Sequence, residues 1–158
     1  MICIDLEASG LAADSYPIEI AWACADTGRS DSFLINPDSV PGWTYWDEYA
    51  EELHGIEPEV LQRDGISAAA ACRRLNRALE GQKVVSDAFD YDSFWLRRLY
   101  RAVDMQPAFE LVGLNAVLTG EQCIQYQFIA RTQFRRHRAM QDVEDLISAI
   151  RTLLYEAG

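Results

Sequence analysis

Three strand-like stretches joined only by tight turns fill the first 36 residues, and they dictate an antiparallel meander at the start of the fold. Ile2, Ile4 and Leu6 alternate with Cys3, Asp5 and Glu7. Gly10 to Tyr16 supplies a turn, and Pro17-Ile-Glu-Ile-Ala-Trp-Ala-Cys24 reads as a second strand. Asp26-Thr-Gly-Arg29 is a tight turn into a third strand, Ser32-Phe-Leu-Ile-Asn36, which Pro37 ends. Past residue 45 the apolar period lengthens to that of a helix, over 46–54, 57–63 and 67–80. The last of these carries Ala71, Leu75 and Leu79 at helix spacing. Lys83-Val-Val-Ser86 returns to a short buried-type strand, a helix follows over about 92–103, and residues 109–130 read as helical turns. Val143, Leu146, Ile147, Ile150 and Leu154 stripe a final helix over 139–156. Strands first, then helices and strands in alternation, predict an α/β fold with a mixed sheet.

A chain of 158 residues with 49% apolar composition closes one sizeable core, so residues 1–158 are expected to form a single domain. The formal charge is −11, from 25 acidic and 14 basic side chains. That balance excludes a protein that coats duplex nucleic acid through its overall field, and leaves room for a local site that recruits cations. No apolar run approaches the roughly 18 residues of a membrane span, so no membrane partner is expected. The opening Met-Ile-Cys-Ile-Asp-Leu-Glu lacks the basic region of a signal peptide, which predicts a cytoplasmic protein. Cys3, Cys24, Cys72 and Cys123 are widely spaced and read as reduced, mostly buried small hydrophobes. The two histidines, His54 and His137, have no cysteine at ligand spacing, so a zinc site is not expected.

Asp5 and Glu7 stand two apart on the first strand and leave the same face. Carboxylates so placed raise each other's pKa unless a cation sits between them. They lie either on the solvated face of an edge strand or in a cation-binding pair; Ile2-Cys-Ile4 in front and Leu6 between them mark a core strand. Ala8-Ser-Gly-Leu11 follows, a small-residue turn that admits a ligand close to the backbone. At the other end of the chain, His137 precedes Asp142 by five residues. On one helix they would point about 140° apart, so they converge only with His137 on the loop and Asp142 in the first turns. There the helix N-terminus keeps a carboxylate ionised. An aspartate favoured by a helix N-terminus beside a surface histidine is the plainer reading of the same residues. Between these blocks, a strand at Val84-Val-Ser leads into Asp87, Asp90 and Asp92 and then an amphipathic helix. That is where α/β sheets assemble sites, although one of the three acids serves as a helix cap.

In this order, the three blocks resemble the three exonuclease motifs of the DnaQ-like 3′–5′ exonucleases of the DEDDh group. Ile4-Asp5-Leu6-Glu7-Ala8-Ser9-Gly10-Leu11 is similar to the first motif, and His137-Arg138-Ala139-Met140-Gln141-Asp142 to the third, H-x4-D. Leu53-His54-Gly55-Ile56 is similar to a segment that many members carry after the third strand. The middle block departs from the family's Asn-Ala followed by an aromatic-Asp pair. Tyr91-Asp92 ahead of Trp95 and Leu96 fits the pair, Asp87 stands at the Asn position, and one extra residue lies between. Asp92 is therefore the expected ligand and Asp87 the alternative. Arg138 stands where the sister DEDDy group has its tyrosine.

The resemblance implies an RNase H-like fold, with a mixed five-stranded sheet flanked by helices. It implies that Asp5, Glu7, Asp92 and Asp142 hold two Mg²⁺ or Mn²⁺ ions, and that His137 takes a proton from water as general base. The reaction would release nucleoside 5′-monophosphates from the 3′ end of single-stranded or short DNA or RNA. Ala8, Ser9, Gly10, Leu11 and Arg138 would contact the substrate, and the dimers that several members form make a homodimer an expectation. The competing reading is a catalytically silent module of the same fold that binds a nucleic-acid end or a protein partner.

Apart from Lys83 every basic residue is an arginine, clustered as Arg73/Arg74/Arg77, Arg97/Arg98/Arg101 and Arg135/Arg136/Arg138. The first two clusters read as salt-bridged helix faces. The third either steers the phosphate backbone or is a solvated approach to the last helix. Trp43, Tyr45, Trp46 and Tyr49 either pack the preceding loop onto the sheet or stack on a terminal base. His54 reads as structural, an imidazole capping the backbone.

Overall fold

The computed structural model describes residues 1–133 and 137–156. Its centre is β1 (Ile2–Ala8), flanked on one side by β2 (Pro17–Cys24) and β3 (Ser30–Leu34). On the other side lie β4 (Lys83–Val85) and β5 (Glu110–Val112), giving the order β3-β2-β1-β4-β5. The first three strands pair antiparallel, as tight connections require, whereas β4 and β5 join parallel after helical crossovers. The mixed five-stranded α/β sheet expected from the sequence is thus present.

Helices cover both faces. α1 (Glu48–His54), α2 (Pro58–Asp64) and α3 (Ala68–Leu79) follow β3; α4 (Phe89–Ala102) follows β4; α5 (Gly120–Thr132) and α6 (Ala139–Glu156) follow β5. Side-chain alternation on β1 divides the core. Ile4, Leu6 and Ala8 join Leu75 and Leu79 of α3 and Leu96 and Leu99 of α4 in one apolar layer. Cys3 joins Val143, Leu146 and Ile150 of α6 in the other. Asp5 and Glu7 have the parity of Cys3, and so belong to the α6 side. Among the described residues no helix is long and apolar enough to cross a membrane.

Four details differ from the expectation. Residues 109–130 contain β5 and a short 3₁₀ turn (Leu114–Ala116) before α5 begins. Three residues are too few to show a period, and β5 exists through its backbone pairing with β4. α4 starts at Phe89, which brings Asp90 and Asp92 into its first turn. In α6 the buried line runs Leu146, Ile150, Leu153, leaving Leu154 toward solvent. Of the four cysteines, all free, Cys3 and Cys72 are buried whereas Cys24 and Cys123 are half-buried.

Candidate active site

The carboxylates converge from three elements at the carboxyl ends of β1 and β4. Asp5, buried, and Glu7, half-buried, come from β1. Asp142 comes from the first turn of α6, its N–H donating to the Arg138 carbonyl at 3.0 Å. Asp92 comes from the first turn of α4 and is 1% exposed. The Ser86 hydroxyl donates to Asp92 Oδ2 at 2.6 Å and itself accepts the Ala88 N–H at 3.0 Å, so the end of β4 orients this carboxylate. Asp87 lies beside it, half-buried, and accepts from the Tyr126 hydroxyl of α5 at 2.8 Å.

Potential ligand oxygens form two groups: Asp5, Glu7 and Asp142 in one, and Asp5, Asp87 and Asp92 in the other. Within each group they lie within 4.8 Å of one another. Asp5 is common to both. The structure therefore brings the four expected acids together and adds Asp87 to them, so the alternative middle residue stands next to Asp92 instead of replacing it. Burial, followed by the charges of Asp92, Glu7, Asp142 and Asp87, pushes the Asp5 carboxyl well above the usual carboxylate range. Such a crowd of hard oxygen donors fits divalent cations such as Mg²⁺ or Mn²⁺, whose charge offsets the repulsion.

His137 sits on the loop before α6, in the left-handed region at φ 55°, and borders the same cavity as Asp5, Glu7 and Asp92. A non-glycine residue in that conformation stays there only if its surroundings hold it. The hold is Glu19 of β2. Its carboxylate accepts the Arg138 guanidinium from Nε at 3.1 Å and Nη2 at 2.7 Å, and the Ala139 N–H at 2.8 Å. Arg138, expected to meet substrate, thus has its fork occupied by a protein carboxylate. Arg135 and Arg136 lie outside the described residues. Sequence reasoning missed Glu19, although the signal was present: a carboxylate between Ile18 and Ile20, in register with Glu7, and 5% exposed.

The cavity, about 370 Å³, is acidic along β1 and apolar opposite, where Leu11, Tyr49, Leu53, Tyr91 and Trp95 line it. Ala8, Gly10 and Leu11 of the small-residue turn border it, with Leu11 71% exposed. Ser9 is buried and structural in its contacts: its hydroxyl accepts the Tyr16 N–H at 3.2 Å, and its carbonyl accepts the Asp47 N–H at 2.9 Å. At Gly10 a Cβ would come 2.8 Å from the Tyr45 ring and 3.0 Å from Asp47 Cβ, so this position must lack a side chain. A second groove of about 240 Å³ continues past Leu11 and Tyr91 along Phe94.

The aromatic segment divides between the two roles open to it. Trp43 stacks on Tyr16 with centroids 5.1 Å apart, and Trp46 meets the edge of His54 at 5.8 Å, both packing the loop. Tyr49 instead borders the cavity. His54 caps the backbone as expected, Nδ1 accepting the Ile56 N–H at 2.9 Å. In the first arginine cluster, Arg74 pairs through both its Nε and Nη2 with Asp31 at 2.6 Å.

No protein-family model matches the chain, and no curated protein sequence does. Among solved structures it is similar to E. coli exonuclease I. Against the zinc-bound form of the complex with single-stranded DNA the TM-score is 0.70, with 16% identity over 93% of this chain and 38% of that one. Against the complex with a dA16 oligonucleotide the TM-score is 0.69, with 16% identity over 93% and 39%. Exonuclease I from Methylocaldum szegediense gives 0.59, with 14% identity over 85% and 30%. The chain spans about two fifths of the length of the E. coli structures. At these identities the likeness establishes the fold, and the fold is the RNase H-like one that the motifs implied.

Proposed function

We propose that residues 1–158 act as one exonuclease domain of the DnaQ-like DEDDh group, removing nucleoside 5′-monophosphates from the 3′ end of single-stranded or short nucleic acid. The observation that carries this reading is Asp5 standing in two carboxylate groups at once, on a cavity that His137 also borders. The neighbours crystallised with single-stranded oligonucleotides support it. So does the groove beyond Leu11, which gives a second nucleotide somewhere to lie.

In this mechanism Asp5, Glu7 and Asp142 hold one divalent cation, and Asp5 and Asp92, with Asp87, hold the other. When bound, the cations supply positive charge to the scissile phosphate and to the attacking and leaving oxygens. The chain's own residues do the rest. The apolar wall at Leu11, Leu53 and Tyr91 receives the terminal base and sugar, while the Ala8–Gly10 backbone approaches the strand end. His137 takes the proton from the attacking water, a task suited to a group that titrates near neutrality. Glu19 and the Arg138–Ala139 segment keep that imidazole on the cavity.

The test uses 5′-labelled single-stranded DNA and RNA with Mn²⁺ or with EDTA, comparing wild type with Asp5→Ala and His137→Ala. The expected result is a metal-dependent ladder that shortens from the 3′ end and is lost in both variants. Oligonucleotides left intact by wild type under every metal condition would overturn the proposal.

A further inference from the structure

His54 ends α1, and its imidazole is 5% exposed. Capping uses Nδ1, which accepts the Ile56 N–H at 2.9 Å. A nitrogen that accepts carries no proton, so the neutral ring must bear its proton on Nε2. Burial favours that neutral ring by lowering the pKa. Nε2 is itself buried and has no hydrogen-bond partner among the described residues. The ring borders the cavity that holds Asp5 and Glu7, beside Leu53 and Tyr49 on its apolar side. A cap alone needs one acceptor, which a serine, threonine or asparagine supplies. The imidazole adds a neutral donor at the cavity wall, away from the carboxylates that would draw a phosphate through their cations.

We propose that His54 is a nucleotide-binding residue whose Nε2–H donates a hydrogen bond to an oxygen on the sugar or base of the strand end in this cavity. The inference rests on the exonuclease reading. Two variants separate the two ring nitrogens. In His54→Asn, Oδ1 replaces Nδ1 as the acceptor for the N–H two residues on, and nothing reaches the Nε2 position. In His54→Gln, the side-chain amide reaches the Nε2 position and the cap is lost.

On a 5′-labelled single strand with Mn²⁺, His54→Asn is expected to melt like wild type while KM rises about five- to tenfold, the net worth of one hydrogen bond. His54→Gln is expected to show the reverse, a lower Tm with KM near wild type. Repeating the comparison on a strand with an abasic 3′ terminus locates the acceptor: a penalty that vanishes puts it on the base, and one that persists puts it on the sugar. In the Mg²⁺-loaded protein, imidazole ¹H–¹⁵N spectra are expected to show His54 as the Nε2–H tautomer, with a resonance that moves on adding thymidine 5′-monophosphate. An unchanged KM in His54→Asn, while wild type cleaves, would overturn the role of His54 and leave the exonuclease reading intact. If wild type cleaves nothing the exonuclease reading fails, and a His54 resonance unmoved by the nucleotide overturns this inference as well.

Discussion

Glu19 of β2 grips Arg138 through both carboxylate oxygens, so a strand on the far side of β1 from β4 holds the segment that presents His137. Because the same carboxylate accepts the Ala139 N–H, it also anchors the first turn of α6, three residues before Asp142.

Removing that grip should therefore affect turnover more than binding. Glu19→Gln keeps the shape and loses the charge, and is expected to cost about 1–3 kcal/mol of stability. Its kcat should fall severalfold, with KM little changed. A double-mutant cycle with Arg138→Ala, read by chemical denaturation, is expected to give a coupling of roughly 0.5–3 kcal/mol. Additive single effects would show that the pair does not act as a unit.

The sharing of Asp5 between two groups predicts a stoichiometry pattern. Titration calorimetry with Mn²⁺ is expected to show two sites in wild type and none in Asp5→Asn. Glu7→Gln and Asp92→Asn are each expected to lose one site and keep the other, because each belongs to one group. Mn²⁺ should raise the Tm of wild type and leave that of Asp5→Asn unchanged, since a ligand of the folded state alone stabilises by mass action.

Gly10→Ala tests how closely the small-residue turn is packed. The added Cβ would meet the Tyr45 ring at 2.8 Å and Asp47 at 3.0 Å, so ring and loop must separate. The expected cost is about 1–3 kcal/mol in thermal unfolding, with a raised KM because the displaced turn borders the cavity. Unchanged stability would mean that the aromatic loop yields freely.

His54 gives a pH signature. Its folded pKa lies below the ordinary 6.5 because burial penalises the charged ring. The unfolded chain therefore takes up this proton first as pH falls, so the stabilisation is present above about 6.5 and is lost on acidification toward the folded pKa. Tm measured from pH 7.5 to 5 should fall more steeply for wild type than for His54→Asn. Parallel curves would remove His54 as the source.

Much of this molecule is legible in local pattern. Strict alternation at Ile2–Glu7 sends Asp5 and Glu7 to one face, and the tight turns after β1 and β2 leave antiparallel pairing as the available connection. The helix over 139–156 likewise follows from its own period, and the His137–Asp142 spacing requires a loop histidine ahead of a first-turn aspartate. Each of these is a property of a few consecutive residues and the geometry of one element. Other features exist only between elements. β5 is three residues that become a strand by pairing with β4. Asp87 joins Asp5 because α5 supplies Tyr126 to hold it. Glu19 acquires its role from a segment 119 residues away, and the second nitrogen of His54 gains meaning only from the cavity wall it reaches. The sequence alone settled which side chains each strand and helix presents; packing decided which of them meet, because distance and burial across the core belong to no single segment.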